Sequence, residues 1–375
     1  MRKIAWLSLI ILIGLTSACT TTAAPTPTSV VVPTLAPTTA PTKSPTAAPT
    51  VSHVIQPTAA PTVSAAEVDV AGTRYIDDRS SAERLVVSYY NAINRHEYAR
   101  AYGYWSGAAT PALPAYTAFE DSFGDVNSVN VWLGPITRDA GAGQYYSSVP
   151  AGVTLNMSDG TTAQYTTCLV THLSSPGAQG VLPFRPMYIE RGEQVTLPAG
   201  ADLAETVANA CVVSGDAAGS PVEITATPDP ADISAARYLD DRSDALQVLR
   251  SYYNAVNLHE YVRAYSYWDD SVASAHLSTL DDFIAGYETT QSVSMTAGDV
   301  MEEGAAGQLY AKIPVTLVST TTGGTQTYVA CYSMHMANPG FQMEPPFRPM
   351  SIYDAVVKTV PAGGNAAALM TTICN

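Results

Sequence analysis

The sequence predicts an α+β protein made from two tandem copies of one unit. Three observations carry this reading. Long stretches of text recur, each copy opens with apolar residues at helical spacing, and each continues in period-two stretches broken by Gly-rich turns. "SYYNAINRHEYARAYGYW" from Ser88 to Trp105 returns as "SYYNAVNLHEYVRAYSYW" from Ser251 to Trp268. "RYIDDRS" at Arg74 returns as "RYLDDRS" at Arg237, and "PFRPM" at Pro183 returns at Pro346.

Ahead of the copies lie two segments of different character. Residues 1–18 are basic at Arg2 and Lys3, then apolar from Ile4 to Leu15, a pattern for a signal peptide and too short for a spanning helix. The ending "LTSAC" resembles the bacterial lipoprotein processing site, which implies lipidation of Cys19 and a membrane anchor; the alternative is ordinary signal cleavage that leaves Cys19 a spare thiol. Residues 19–66 are rich in Thr and Pro with almost no charge, so they bury too little apolar surface to fold and read as a disordered stalk. Residues 67–214 and 232–375 are then the two domains, joined by a Gly/Pro/Ala linker over 215–231. The formal charge of −15 speaks against nucleic acid and anionic lipid as partners, leaving the N-terminal anchor as the membrane contact.

Within each copy the elements follow in order. Leu85, Val86, Tyr89 and Ile93 repeat at helical spacing, as do Tyr98, Ala101, Tyr102 and Trp105, giving two amphipathic helices. Between them Asn94 and Asn257 suit a left-handed helix end, and Glu97 and Glu260 suit the first turn of the next helix. Asp77 and Asp78, with Asp240 and Asp241, precede the first helix and read as caps and solvated charge. A third short helix around Phe119 to Phe123 leads into strands at 126–134, 144–157 and 161–173, an antiparallel sheet in the making. Four cysteines allow three pairings; the equal spacing of Cys168 with Cys211 and of Cys331 with Cys374 favours closure within each copy, as expected in an oxidising compartment. No Cys-x-x-Cys or matched His pair accompanies them, so no metal or other cofactor is expected.

The text Tyr-x-x-Ala-(Ile/Val)-Asn-x-x-Glu-Tyr, followed by an aromatic second helix and a sheet, resembles the NTF2-like superfamily, the cone-shaped fold of ketosteroid isomerases and SnoaL-like cyclases. That resemblance implies two tandem cones, each with a cavity between helices and sheet. It places Tyr89 and Tyr252 at the isomerases' hydrogen-bonding tyrosine. The isomerases' base falls shortly after the second helix, where copy one reads "SGAATPALP" with no carboxylate. In copy two Asp269 and Asp270 come too soon and His276 is a poor substitute, so the isomerase reading lacks its proton carrier.

The candidate site residues are therefore few. Tyr89, Tyr252, His172 and His335 are the catalytic candidates, the histidines because they share a strand face with Cys168 and Cys331 that is expected to line the cavity. Tyr89, Tyr102 and Trp105, with Tyr252, Tyr265 and Trp268, are ligand-contact candidates whose alternative is plain core. Arg185 and Arg348 stand among apolar residues, which calls for a carboxylate partner such as Glu190 or Asp354, a surface position, or an anionic ligand. His96 and His259 sit at the helix joint, where backbone capping competes with a role as base. The function expected is a lipid-anchored envelope module that binds a small apolar ligand, a protein or a glycan without catalysis, its two copies pairing as an internal pseudo-dimer. The alternatives are an extracytoplasmic enzyme of isomerase, cyclase or hydrolase type on an apolar small molecule, and a structural envelope protein.

Overall fold

The computed structural model describes residues 65–105, 113–198, 200–213, 220–221, 232–269 and 278–375. The signal segment, Cys19, nearly all of the stalk, Asp270 and His276 lie outside the described residues. Copy one runs β1 (Ala66–Val68), α1 (Ala82–Asn94), α2 (Tyr98–Tyr102), α3 (Tyr116–Asp121), β2 (Val126–Leu133), β3 (Thr137–Gly141), β4 (Gln144–Met157), β5 (Thr162–Ser174), β6 (Tyr188–Thr196), α4 (Leu203–Val207), α5 (Ala210–Val213) and β7 (Ser220–Pro221). Copy two runs α6 (Ala245–Asn257), α7 (Tyr261–Tyr265), α8 (Leu280–Tyr287), β8 (Thr290–Ala297), β9 (Met301–Ala305), β10 (Gln308–Thr321), β11 (Gly324–Ala337), β12 (Ser351–Thr359) and α9 (Ala366–Met370). The fold is α+β with two antiparallel sheets.

In both sheets one long strand organises the rest. β10 pairs with β11 on one side, and on the other with β9 along Gln308–Lys312 and β8 along Val315–Thr321. β4 does the same with β5, β3 and β2. The pairing of β5 with β6 shifts register at Val170/Thr171, and that of β11 with β12 shifts at Ser333/Met334. Such bulges bend a strand, and here they occur at matched places. Alternate residues of β11 then serve two cores: Tyr332 and Met334 meet α6, whereas Cys331 meets Val360 and Ile373 on the opposite face.

The helices form where the spacing says they should, but their ends are held otherwise than the sequence implies. Ser81 caps α1 by accepting from Arg84 N at 3.2 Å, and Asp244 caps α6 by accepting from Gln247 N at 2.8 Å. Asp77 and Asp240, read as caps or solvated charge, are instead 2% exposed. The left-handed residues at the joints are His96 (φ 55°) and His259 (φ 58°), not the asparagines. Asn94 stays helical and spends its amide on the sheet, donating to Val70 O and Val129 O and accepting from Val129 N. Asn257 repeats this with Ile233 and Val293.

The disulfides are Cys168–Cys211 and Cys331–Cys374, closing each copy on itself. They tie α5 to β5 and the chain after α9 to β11. Stable disulfides belong to an oxidising, extracytoplasmic environment. Among the described residues no helix is long and apolar enough to cross a membrane.

The copies are stitched together by hydrogen bonds that each occur twice with the partners exchanged. Arg79 N donates to Asp240 O at 2.7 Å and Arg242 N to Asp77 O at 2.6 Å. Asp77 N donates to Ser243 Oγ at 2.9 Å, and Asp240 N to Ser80 Oγ at 2.8 Å. Tyr75 of copy one packs against the core of copy two, and Tyr238 of copy two against the core of copy one. Reciprocal contacts of this kind are the signature of a self-complementary, two-fold interface.

Candidate functional site

The interior of each copy is filled by its own rings. Tyr252, 2% exposed, donates or accepts across a 2.6 Å contact with the hydroxyl of Tyr287, and Tyr253 is paired in the same way with Tyr332 at 2.5 Å. Phe283 and Trp268 close around Tyr252. In copy one Tyr89 packs edge-on against Tyr90 and Trp105, and Phe119 against Tyr102 and Phe123. Burial, reinforced by neighbouring tyrosines, raises the hydroxyl pKa of Tyr89 and Tyr252, so both remain neutral phenols. Tyr102 and Tyr265 spend their hydroxyls on the carbonyls of Pro114 and Ser278.

Beneath α1 and α6 lies a duplicated polar cluster that the sequence reading missed. Arg100, 1% exposed, donates to Glu97 at 2.6 Å, to Asn91 Oδ1 at 3.0 Å, to the Tyr104 hydroxyl at 3.1 Å and to Ile76 O. Tyr104 donates to Asp77 at 2.8 Å. Arg263, Glu260, Asn254, Tyr267 and Asp240 repeat the arrangement. Every polar atom that needs a partner here has one from the chain itself, so the cluster holds the fold together. Its signal was present in the recurrence of Asp-Asp-Arg, Glu and Arg, but only the tertiary fold brings these together.

The histidines lie elsewhere than expected. His172 and His335 do share a face with Cys168 and Cys331, but it is the face turned away from the helix-lined interior. His172 stacks on Tyr146 with ring centroids 4.3 Å apart, and its nitrogens meet the Tyr188 hydroxyl and Gln144 Oε1, both at 2.6 Å. Burial lowers its pKa against the opposing pull of Glu190. His335 stacks on Tyr310 at 4.8 Å, faces Gln308 Oε1 at 2.8 Å through Nε2 and approaches Asp269 Oδ2 at 3.4 Å through Nδ1. Asp269, placed too early in the sequence to serve an interior site, thus serves the outer face. The structure does not bring Tyr89 or Tyr252 to either histidine's cluster.

Arg185 and Arg348 are exposed, which resolves the cost of burying them. Their backbones are clamped by Gln179 and Gln342, each of which donates to the arginine carbonyl and accepts from its N–H.

Two open cavities among the described residues bear on the question. The larger, about 510 Å³, runs along Glu67–Gly72 and Ser128–Asn130, where the principal side-chain amide, that of Asn94, is already saturated by backbone partners. The smaller, about 340 Å³, lies between the copies. Tyr75 and Arg95 of copy one form one wall, and Leu309, Met336 and Met350 of copy two form another, with Glu302 also lining it. Its mix of apolar surface with a few charged groups is what a recognition site requires, so it is the better candidate despite its size. No protein-family model matches the chain, and no curated protein matches its sequence.

Proposed function

We propose that the protein is a lipid-anchored cell-envelope binding module without catalysis: a stalk carries two NTF2-like copies that act as one internal pseudo-dimer, and ligands meet it outside the copies' interiors. The observation that carries this reading is the pairing of buried tyrosine hydroxyls in copy two, Tyr252 with Tyr287 and Tyr253 with Tyr332, which occupies the hydroxyls that an interior ligand there would use. The reciprocal hydrogen bonds between Asp77, Ser80, Asp240 and Ser243 support the pseudo-dimer, and the paired cysteines support export.

Two measurements test it. Feeding the host a clickable fatty acid should label the protein, and Cys19→Ala should abolish the label. Native mass spectrometry of the protein purified from its host should find no small molecule retained in an interior; a stoichiometric apolar ligand lost on Tyr252→Trp would overturn the reading. The Asp269–His335 contact favours a second reading, an extracytoplasmic enzyme whose proton carrier sits on the outer sheet face. Host-extract turnover abolished by His335→Gln would establish it.

A further inference from the structure

Each sheet ends in an edge strand, and the two edges differ in character. β6 pairs with β5 alone and β12 with β11 alone. Setting Ile189 against Ile352, which take the same bridge from Trp105 and Trp268, aligns Gly192, Glu193 and Gln194 of β6 with Ala355, Val356 and Val357 of β12. Glycine and charge make β6 a poor template for a further strand. β12 instead offers two β-branched apolar residues, Val356 at 46% and Val357 at 50% exposure.

The direction of the β12 hydrogen bonds fixes which main-chain groups are available. Val360 N donates to Thr327 O at 2.9 Å, so Val356 and Lys358, two and four residues earlier in the same ladder, also turn their N–H and C=O toward β11. Ala355, Val357 and Thr359 turn theirs outward. Ala355 N donates to Asp354 Oδ1 at 2.8 Å, whereas the N–H groups of Val357 and Thr359 have no acceptor among the described residues. The outward groups of Ile352 are already taken by Tyr267 O and Asp269 N, so the open stretch begins beyond it.

We propose that β12 pairs antiparallel with β12 of a second copy of this chain, joining two molecules through one continuous sheet. The two-fold axis that fits lies at Val357. An axis at Val356 would drive Val360 of the second copy into Trp268, which bridges Ile352, and an axis at Lys358 would set that charge against itself. At Val357 the valine meets its own copy, Ala355 faces Thr359, and Asp354 lies diagonal to Lys358 of the second copy, an arrangement that occurs twice. Charges that would repel a strand of another pattern thus complement this one. Asp354 exchanges Ala355 N for the lysine, and Ala355 N gains a carbonyl acceptor. Because β6 is the blunt edge, association stops at a closed, self-complementary dimer. The pairing adds a partner to the binding-module reading and does not depend on it.

The test is disulfide trapping and sedimentation of the full-length protein in detergent. On oxidation Val357→Cys should give a covalent dimer, because a hydrogen-bonded antiparallel pair holds its Cα atoms about 5.5 Å apart, within disulfide reach. Gln194→Cys, its counterpart on β6, should stay monomeric. Sedimentation velocity of the native sequence should show a monomer–dimer equilibrium that Lys358→Asp weakens roughly tenfold, two exposed ion pairs being worth a few-fold each. Asp354→Lys combined with Lys358→Asp should restore it. Val357→Pro removes an outward N–H, leaves the bonds to β11 in place and should abolish the dimer. Circular dichroism of each variant separates lost pairing from lost folding. A monomer throughout, trapping at Gln194→Cys as efficient as at Val357→Cys, or a charge swap that restores nothing overturns the proposal. So does an extended host peptide retained by a monomer in native mass spectrometry and lost on Val357→Pro, which would make the edge a peptide site instead.

Discussion

At the scale of single residues, the charges with most consequence are those the chain has withdrawn from water. Asp78 and Asp241 face each other across the seam, Arg84 stands 3.9 Å from Asp78, and Ser80 N and Ser243 N each donate to the aspartate of their own copy. Burial and the facing Asp78 push Asp241 up to about 7, with Asp244 adding to the rise and the Ser243 hydrogen bonds opposing it. The folded chain therefore holds a proton that the unfolded chain releases near pH 4. This contribution is complete below about pH 4 and lost as pH rises through about 7, a change on the order of 4 kcal/mol. Urea unfolding at pH 4 and pH 8 should show that loss in the native sequence, and Asp241→Asn should flatten it. Arg263 is the other extreme, a guanidinium with no exposure that compensates Glu260. Arg263→Met should cost about 3–5 kcal/mol, because it strands the half-buried carboxylate of Glu260 and orphans the acceptors Leu239 O and Asn254 Oδ1; an unfolding free energy within 1 kcal/mol of native would contradict that role.

At the scale of elements, each helix pair depends on a joint and each sheet on an outer clasp. The joint is made by a histidine at positive φ, a conformation that a side chain of that size adopts at some cost. His259→Gly should thus leave stability unchanged or raise it by up to about 1 kcal/mol in thermal unfolding. The clasp of copy two is Cys331–Cys374, which holds the chain beyond α9 against β11 through Val360 and Ile373. Replacing both cysteines by serine should lower stability by about 2–4 kcal/mol. Limited proteolysis should then cut first near α9, since that segment would keep only its small apolar contact.

At the scale of the whole molecule, the copies are held by main-chain groups that have no other partner. Ser80→Ala with Ser243→Ala leaves the N–H groups of Asp240 and Asp77 without their acceptors in a buried seam. The loss should be about 2–4 kcal/mol in total, at 1–2 kcal/mol for each orphaned donor. Because each copy also packs a tyrosine against the other's core, native unfolding should be a single transition monitored by tryptophan fluorescence, and the double variant should separate it into two.

Much of this was legible in the sequence, because duplication and period are local properties of text. The α+β class, the two copies, the opening helices and the pairing of the four cysteines follow from residue spacing alone, since helix and strand impose their own periods on side chains that must be buried. What only the tertiary structure decided is where the polar groups go. Asp77 reads as a cap and is a buried acceptor, Asn94 reads as a helix end and bridges to the sheet, and Asp269 reads as misplaced and meets His335. A polar side chain's role depends on its partners, which lie far away in sequence, whereas an apolar side chain's role depends mainly on which face of its own element it occupies.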